Sequence, residues 1–167
     1  MTYLERYDAF VFDLDGTLAD TLEDLARSVH HALSVFGRPA LSLEVVRRSV
    51  GNGARTLIER SMTRSTTAHA APDQVEAALK EFLLAYDGDC MRSTRLYAGV
   101  AEALESLERI RPLAVLTNKP MRHTVKILEG LGVAARFRRI VAGDSLPTKK
   151  PDPAGLLGVA QALGARA

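Results

Sequence analysis

Tryptophan is absent from this chain, cysteine occurs once, and no apolar stretch approaches the roughly 18 residues that a bilayer-spanning helix needs. Each absence removes a class of protein. A lone thiol, Cys90, cannot build an internal disulfide framework, so a stapled secreted scaffold is excluded and a reducing compartment suits the chain. With no apolar signal-like segment at residues 1–8 and no spanning run, the expectation is a cytoplasmic protein with no membrane partner. Charge of one sign is scarce too: 22 Lys and Arg oppose 20 Asp and Glu, so a nucleic-acid partner is not expected. The cluster Arg136-Phe137-Arg138-Arg139 is local and reads as a solvated face or loop. Apolar residues are plentiful, at 47% of 167, enough for one domain or a domain carrying a smaller insertion.

One stretch puts charge where charge is expensive. Phe10-Val11-Phe12-Asp13-Leu14-Asp15-Gly16-Thr17-Leu18 reads as a buried strand ending in two carboxylates and a glycine. Asp is depleted in strands, and a buried carboxylate is costly unless a cation or hydrogen-bond donors compensate. A hard cation such as Mg²⁺ is the natural partner. The plainer alternative is that Asp13 and Asp15 only close the strand and open a turn, since Asp, Gly and Thr are ordinary turn residues.

Beyond this stretch the pattern becomes helical. Asp20-Thr21-Leu22-Glu23 resembles a capping box, and Leu22, Leu25, Ala26, Val29, Ala32, Leu33 and Phe36 follow at helical spacing until Gly37. His30 and His31 lie on this helix at adjacent positions, which point about 100° apart and cannot face one metal. A second helix begins at Ser42 and breaks at Gly51-Asn52-Gly53; a third carries Ala54, Leu57, Ile58 and Met62. The break is only superficially a phosphate loop, because no strand precedes it and no Gly-Lys-Ser/Thr follows. Pro72 opens a further helix striped by Val75, Ala78, Leu79, Phe82, Leu83 and Tyr86.

The period then changes. A helix from Val100 to Ile110 is stopped by Pro112, and Leu113-Ala114-Val115-Leu116 is a short strand ending in Thr117-Asn118-Lys119-Pro120. A helix from about Met121 to Leu131, a strand from Phe137 to Ala142, a loop at 147–153 and a last helix complete the chain. Strands alternating with helices predict a Rossmann-like parallel α/β sheet, with residues 20–94 inserted as a helical cap between core segments 1–19 and 95–167. In such a sheet ligands bind beyond the carboxyl ends of the strands. Asp13 and Asp15, Thr117 and Asn118, and Lys149-Lys150-Pro151 all fall at that edge. They offer carboxylates for a metal and for chemistry, a hydroxyl and an amide for oxygens, and an ammonium for an anion. Singly, Thr-Asn-Lys-Pro reads as a turn and the Lys pair as solvated.

Together these strings resemble the haloacid dehalogenase superfamily, and within it the phosphoglycolate phosphatase branch. Asp13 to Leu18 is similar to the family's first motif, Thr117-Asn118 to its second and Lys150 to its third. Val50-Gly51-Asn52-Gly53-Ala54-Arg55, Thr117-Asn118-Lys119-Pro120 and Lys149-Lys150-Pro151-Asp152-Pro153 resemble that branch in particular. The resemblance implies a Mg²⁺-dependent phosphomonoester hydrolase with a small phosphorylated metabolite, 2-phosphoglycolate, as substrate. It implies that Asp13 is the nucleophile that becomes an aspartyl-phosphate and Asp15 the general acid/base, both holding Mg²⁺, Asp15 by its main-chain carbonyl. Thr117, Asn118 and Lys150 would bind the phosphoryl group, and Asn52, Gly53 and Arg55 of the cap would contact the rest of the substrate. An aspartate at position 15 argues against the halide-removing and phosphonate-cleaving siblings, which lack it.

The resemblance also implies a fourth, acidic motif at the end of a further strand. The chain stops at Ala167, before that strand, and Gly143-Asp144-Ser145 precedes Lys150 and is not accepted as its substitute. The expectation is therefore a truncated core with a short-handed metal site, weak activity, and strand one left as an apolar edge open to self-association. A sugar-phosphate phosphatase or phosphomutase, and a weakly catalytic fragment or interaction module, stand as alternatives.

Overall fold

Helical spacing of apolar residues in one region and short apolar runs elsewhere become helices and strands in the computed structural model, which describes residues 3–165. In chain order the elements are β1 (Phe10–Phe12), β2 (Ala19–Asp20), α1 (Leu22–Val35), α2 (Leu43–Ser49), α3 (Ala54–Thr63) and α4 (Pro72–Asp89). They continue with β3 (Arg95–Leu96), α5 (Val100–Glu108), β4 (Leu113–Leu116), α6 (Met121–Gly130), β5 (Phe137–Val141) and α7 (Ala154–Ala162). Asp20–Arg95 forms a helical unit, and the segments on either side of it form an α/β unit. β2 and β3 pair as a separate two-stranded sheet. Two residues each, they are too short to leave a periodicity in the sequence.

In the α/β unit three strands run parallel in the order β1-β4-β5, with Phe12 opposite Val115 and Leu116 opposite Val141. All four residues of the central strand β4 are buried, as expected where a parallel strand is covered on both faces. Ala114, Leu116, Val141 and Val159 of α7 form a core cluster, with Val11 and Leu163 packed against it. On β5, Leu113 is opposite Phe137 but Ala114 is opposite Arg139, so Arg138 is the extra residue of a bulge. Arg138 and Arg139 are exposed, and charge together with a bulge discourages further strand pairing at this side.

In the helical unit the expected stripes face inward: Leu25, Ala26, Val29, Ala32 and Leu33 of α1, Leu57, Ile58 and Met62 of α3, and Val75, Ala78, Phe82 and Tyr86 of α4 are buried. The Phe82 and Tyr86 rings stack at 5.4 Å. The Ser42 hydroxyl caps α2 by accepting from the Val45 N–H. The capping box expected at 20–23 does not form: Thr21 makes no side-chain cap bond, and the Asp20 carboxylate instead accepts from the Leu22 N–H at 3.3 Å. In the first turn of α1 Asp24 turns inward and is fully buried. It accepts from the main-chain N–H groups of Ser93 and Thr94 and the Thr94 hydroxyl, each at 2.9 Å, and from Arg27 at 2.7 Å. Burial alone pushes this carboxyl up, but the Ser93 N–H, Arg27 and both Thr94 donors outweigh it and hold the group below its ordinary value. No described helix is long and apolar enough to cross a membrane.

Candidate active site

The turn after β1 is built to hold two aspartates at a strand end. Leu14 and Leu18 are buried beneath it, and the N–H groups of Leu18 and Ala19 both donate to the Leu14 carbonyl at 3.1 Å. Gly16 has φ +79°, a conformation that a side chain would strain, and its N–H donates to Ala19. Within this turn Asp13 Oδ1 accepts from the Leu14 N–H at 2.8 Å.

At the end of β4 three polar residues, Thr117, Asn118 and Lys119, are buried in succession. Buried polar groups need partners, and the neighbouring loops supply them. The Thr117 N–H continues the ladder to the Val141 carbonyl at 3.0 Å, while its hydroxyl accepts from the Lys119 N–H at 3.3 Å. The Asn118 amide both donates to the Lys150 carbonyl at 3.0 Å and accepts from the Lys150 N–H at 2.9 Å. It thus fastens the loop after β5 to the end of β4. Gly143 crosses so close that a Cβ would lie 2.1 Å from the Asn118 carbonyl oxygen, and its N–H donates to Lys119 O at 2.8 Å. Only glycine fits there. Asp144 beside it accepts from the Met121 N–H at 2.8 Å and so serves the N-terminus of α6.

Two ammonium groups meet the two aspartates. Lys150 Nζ donates to the Leu116 carbonyl at 2.9 Å and lies 3.0 Å from Asp13 Oδ1. Lys119 Nζ lies 2.9 and 3.2 Å from the two carboxylate oxygens of Asp15. The pairs differ in accessibility: the Lys119 and Asp15 side chains are 4% and 13% exposed, those of Lys150 and Asp13 29% and 35%. The sequence offers Lys119 only as part of Thr117-Asn118-Lys119-Pro120, with no role of its own. Its signal is charge, since the two strand-end carboxylates otherwise have one ammonium, that of Lys150.

The structure therefore brings Asp13, Asp15, Thr117, Asn118 and Lys150 to the carboxyl ends of three parallel strands in one unit. Asn52, Gly53 and Arg55 lie in the helical unit, at the start of α3, where Arg55 is ion-paired to Glu76 at 2.8 Å. Among the described residues no three of His, Cys, Asp and Glu gather into a ready metal cage. Asp13 Oδ2 has no partner among the described residues, since both of its contacts fall on Oδ1. The Asp13 carboxylate and the Asp15 main-chain carbonyl are hard donors of the kind a small divalent cation uses while keeping several waters.

Residues 10–167 match the family described as haloacid dehalogenase-like hydrolase. A Pseudomonas aeruginosa protein named phosphoglycolate phosphatase 1 is 42% identical over 156 residues, which are 92% of this chain and 57% of that protein. A phosphoglycolate phosphatase of Psychrobacter arcticus is 38% identical over 92% of this chain and 68% of its own length. The chain thus spans little more than half the length of most of the curated relatives it matches. A crystal structure of a predicted phosphoglycolate phosphatase from Haemophilus somnus 129PT superposes with a TM-score of 0.87 at 34% identity, covering 95% of this chain and 72% of that one.

Proposed function

The chain belongs to the haloacid dehalogenase-like hydrolases, and on that footing we propose that it is a Mg²⁺-dependent phosphomonoesterase acting through an aspartyl-phosphate, with 2-phosphoglycolate as substrate. The observation that carries the reading is the division of labour at Asp13. One oxygen is held by the Leu14 N–H and Lys150, and the other is left unengaged among the described residues. A nucleophile needs that arrangement: a fixed carboxylate with one oxygen still able to form a bond.

The chemistry follows from the neighbours. Lys150 and the Thr117 hydroxyl bind phosphoryl oxygens, and Asn118 keeps the Lys150 main chain in place. Asp13 Oδ2 attacks phosphorus in line while the bond to the alkoxide breaks, and the Asp15 carboxyl gives that oxygen its proton. Asp15, now a carboxylate, takes a proton from water, whose oxygen attacks the aspartyl-phosphate. Inorganic phosphate leaves and the Asp13 carboxylate is restored. The Asp13 carboxylate and the Asp15 carbonyl would hold Mg²⁺, which when bound would supply charge neutralisation on the transferred group. The names of the curated relatives point to phosphoglycolate as the ester.

Phosphate release by the purified chain from 2-phosphoglycolate, glucose 1-phosphate and p-nitrophenyl phosphate, with and without Mg²⁺, tests the proposal. Mg²⁺-dependent release with phosphoglycolate preferred is the expected result. Equal or better use of the sugar phosphate would overturn the substrate, and no release from any ester would overturn the activity.

A further inference from the structure

We propose that Lys119 is a positioning residue for Asp15, fixing the plane and direction of the carboxyl group that handles the leaving oxygen. The proposal rests on the phosphatase reading and goes beyond the residues that reading uses. A lysine is rarely enclosed to this degree, its side chain being 4% exposed, and a buried ammonium must find acceptors for its N–H groups. Lys119 Nζ reaches both oxygens of Asp15, at 2.9 and 3.2 Å, and a cation placed between two carboxylate oxygens restrains rotation of the group in a way that a single contact does not.

The lysine is itself held. Its N–H donates to the Thr117 hydroxyl at 3.3 Å, and its carbonyl accepts from Gly143 at 2.8 Å and from the Thr124 hydroxyl at 3.4 Å. The end of β4, the loop after β5 and the first turn of α6 thus fix one main-chain segment, from which the ammonium is presented to the turn after β1. Lys150 cannot serve both carboxylates equally: its ammonium is placed on Asp13 and the Leu116 carbonyl. Separate cations let Asp13 change from carboxylate to acyl phosphate without disturbing the grip on Asp15.

Positioning of an acid matters in proportion to the leaving group's need for a proton. Glycolate leaves as an alkoxide and needs one, whereas nitrophenolate departs without it. Single-turnover release of the leaving group, which reports the first transfer alone, should fall in Lys119→Met on the order of a hundredfold for 2-phosphoglycolate, the range of general acid catalysis. The fall should be at least about tenfold smaller for p-nitrophenyl phosphate. Equal losses on the two esters, or no loss on either, would overturn the proposal, since a purely structural lysine affects both alike. If Lys119→Met does not fold, Lys119→Gln provides the same ratio. A second measurement needs no catalysis: urea unfolding of Lys119→Met, Asp15→Asn and the double variant should be non-additive, and additivity would also overturn the proposal. A wild-type chain that turns over neither ester would remove the phosphatase reading and the positioning role of Lys119 with it. Active wild type with equal losses removes the lysine's role alone.

Discussion

Asp24 in the helical unit and Asp13 in the α/β unit are both aspartates next to arginine or lysine, yet their surroundings are opposite in kind. Asp24 is fully buried and accepts from two main-chain N–H groups, a hydroxyl and a guanidinium. Asp13 is about a third exposed, and both of its contacts fall on one oxygen. A carboxylate whose lone pairs are all used is a structural joint; one with an oxygen in reserve is a reagent. Removing the first should cost stability, and removing the second should cost chemistry.

The largest effect should come from Asp13→Asn. Phosphate release should fall by at least about a thousandfold, since a carboxamide cannot form the acyl phosphate. The melting temperature should stay near that of wild type, because an exposed ion pair contributes only about 0–1 kcal/mol. Retained turnover would break the comparison at its chemical end. Next comes Asp24→Ala, which strips four donor groups of their acceptor and should destabilise the chain by about 3 kcal/mol in urea unfolding. A loss below about 0.5 kcal/mol would show that Asp24 is not a joint.

Asn118→Ala lies between the two. It removes both bonds to the Lys150 main chain, so about 2 kcal/mol of stability should go, together with a rise in KM as the Lys150 ammonium loses its placement. Unchanged KM with lowered stability would make Asn118 a joint like Asp24 and no part of the site.

Legibility in the sequence followed the range of the forces involved. The parallel sheet could be read because the runs at 10–12, 113–116 and 137–141 are apolar and separated by helices, and parallel strands bring their carboxyl ends to one edge. That placed Asp13, Asp15, Thr117, Asn118 and Lys150 together. Lys119 was hidden because Thr-Asn-Lys-Pro is also ordinary turn chemistry, and its burial depends on a carboxylate 104 residues away. Asp24 was hidden for the same reason. An acidic residue in the first turn of a helix already has a local explanation in the helix dipole, while three of its four donors lie 69 and 70 residues later. Gly143 is a small loop residue until the Asn118 carbonyl is placed where a Cβ would be.

The smallest effect is also the sharpest test of the comparison, because it depends on the charge of Asp24 alone. Its folded-state value is held below the ordinary carboxylate value, so between the two the unfolded chain binds more protons than the folded one. The stability this provides is therefore complete above about pH 4, the unfolded value, and is lost as the pH falls through the lower, folded value. Asp24→Asn cannot titrate and keeps one acceptor oxygen, so it should be less stable than wild type by a constant amount from pH 7 to about 5. That gap should narrow on further acidification, as protonation turns the wild-type group into a neutral one of similar shape. Urea unfolding of both proteins from pH 7 to 3 measures it. A gap that stays constant throughout would mean that the ionised form of Asp24 is not what the four donors hold, and the contrast with Asp13 would reduce to one of burial.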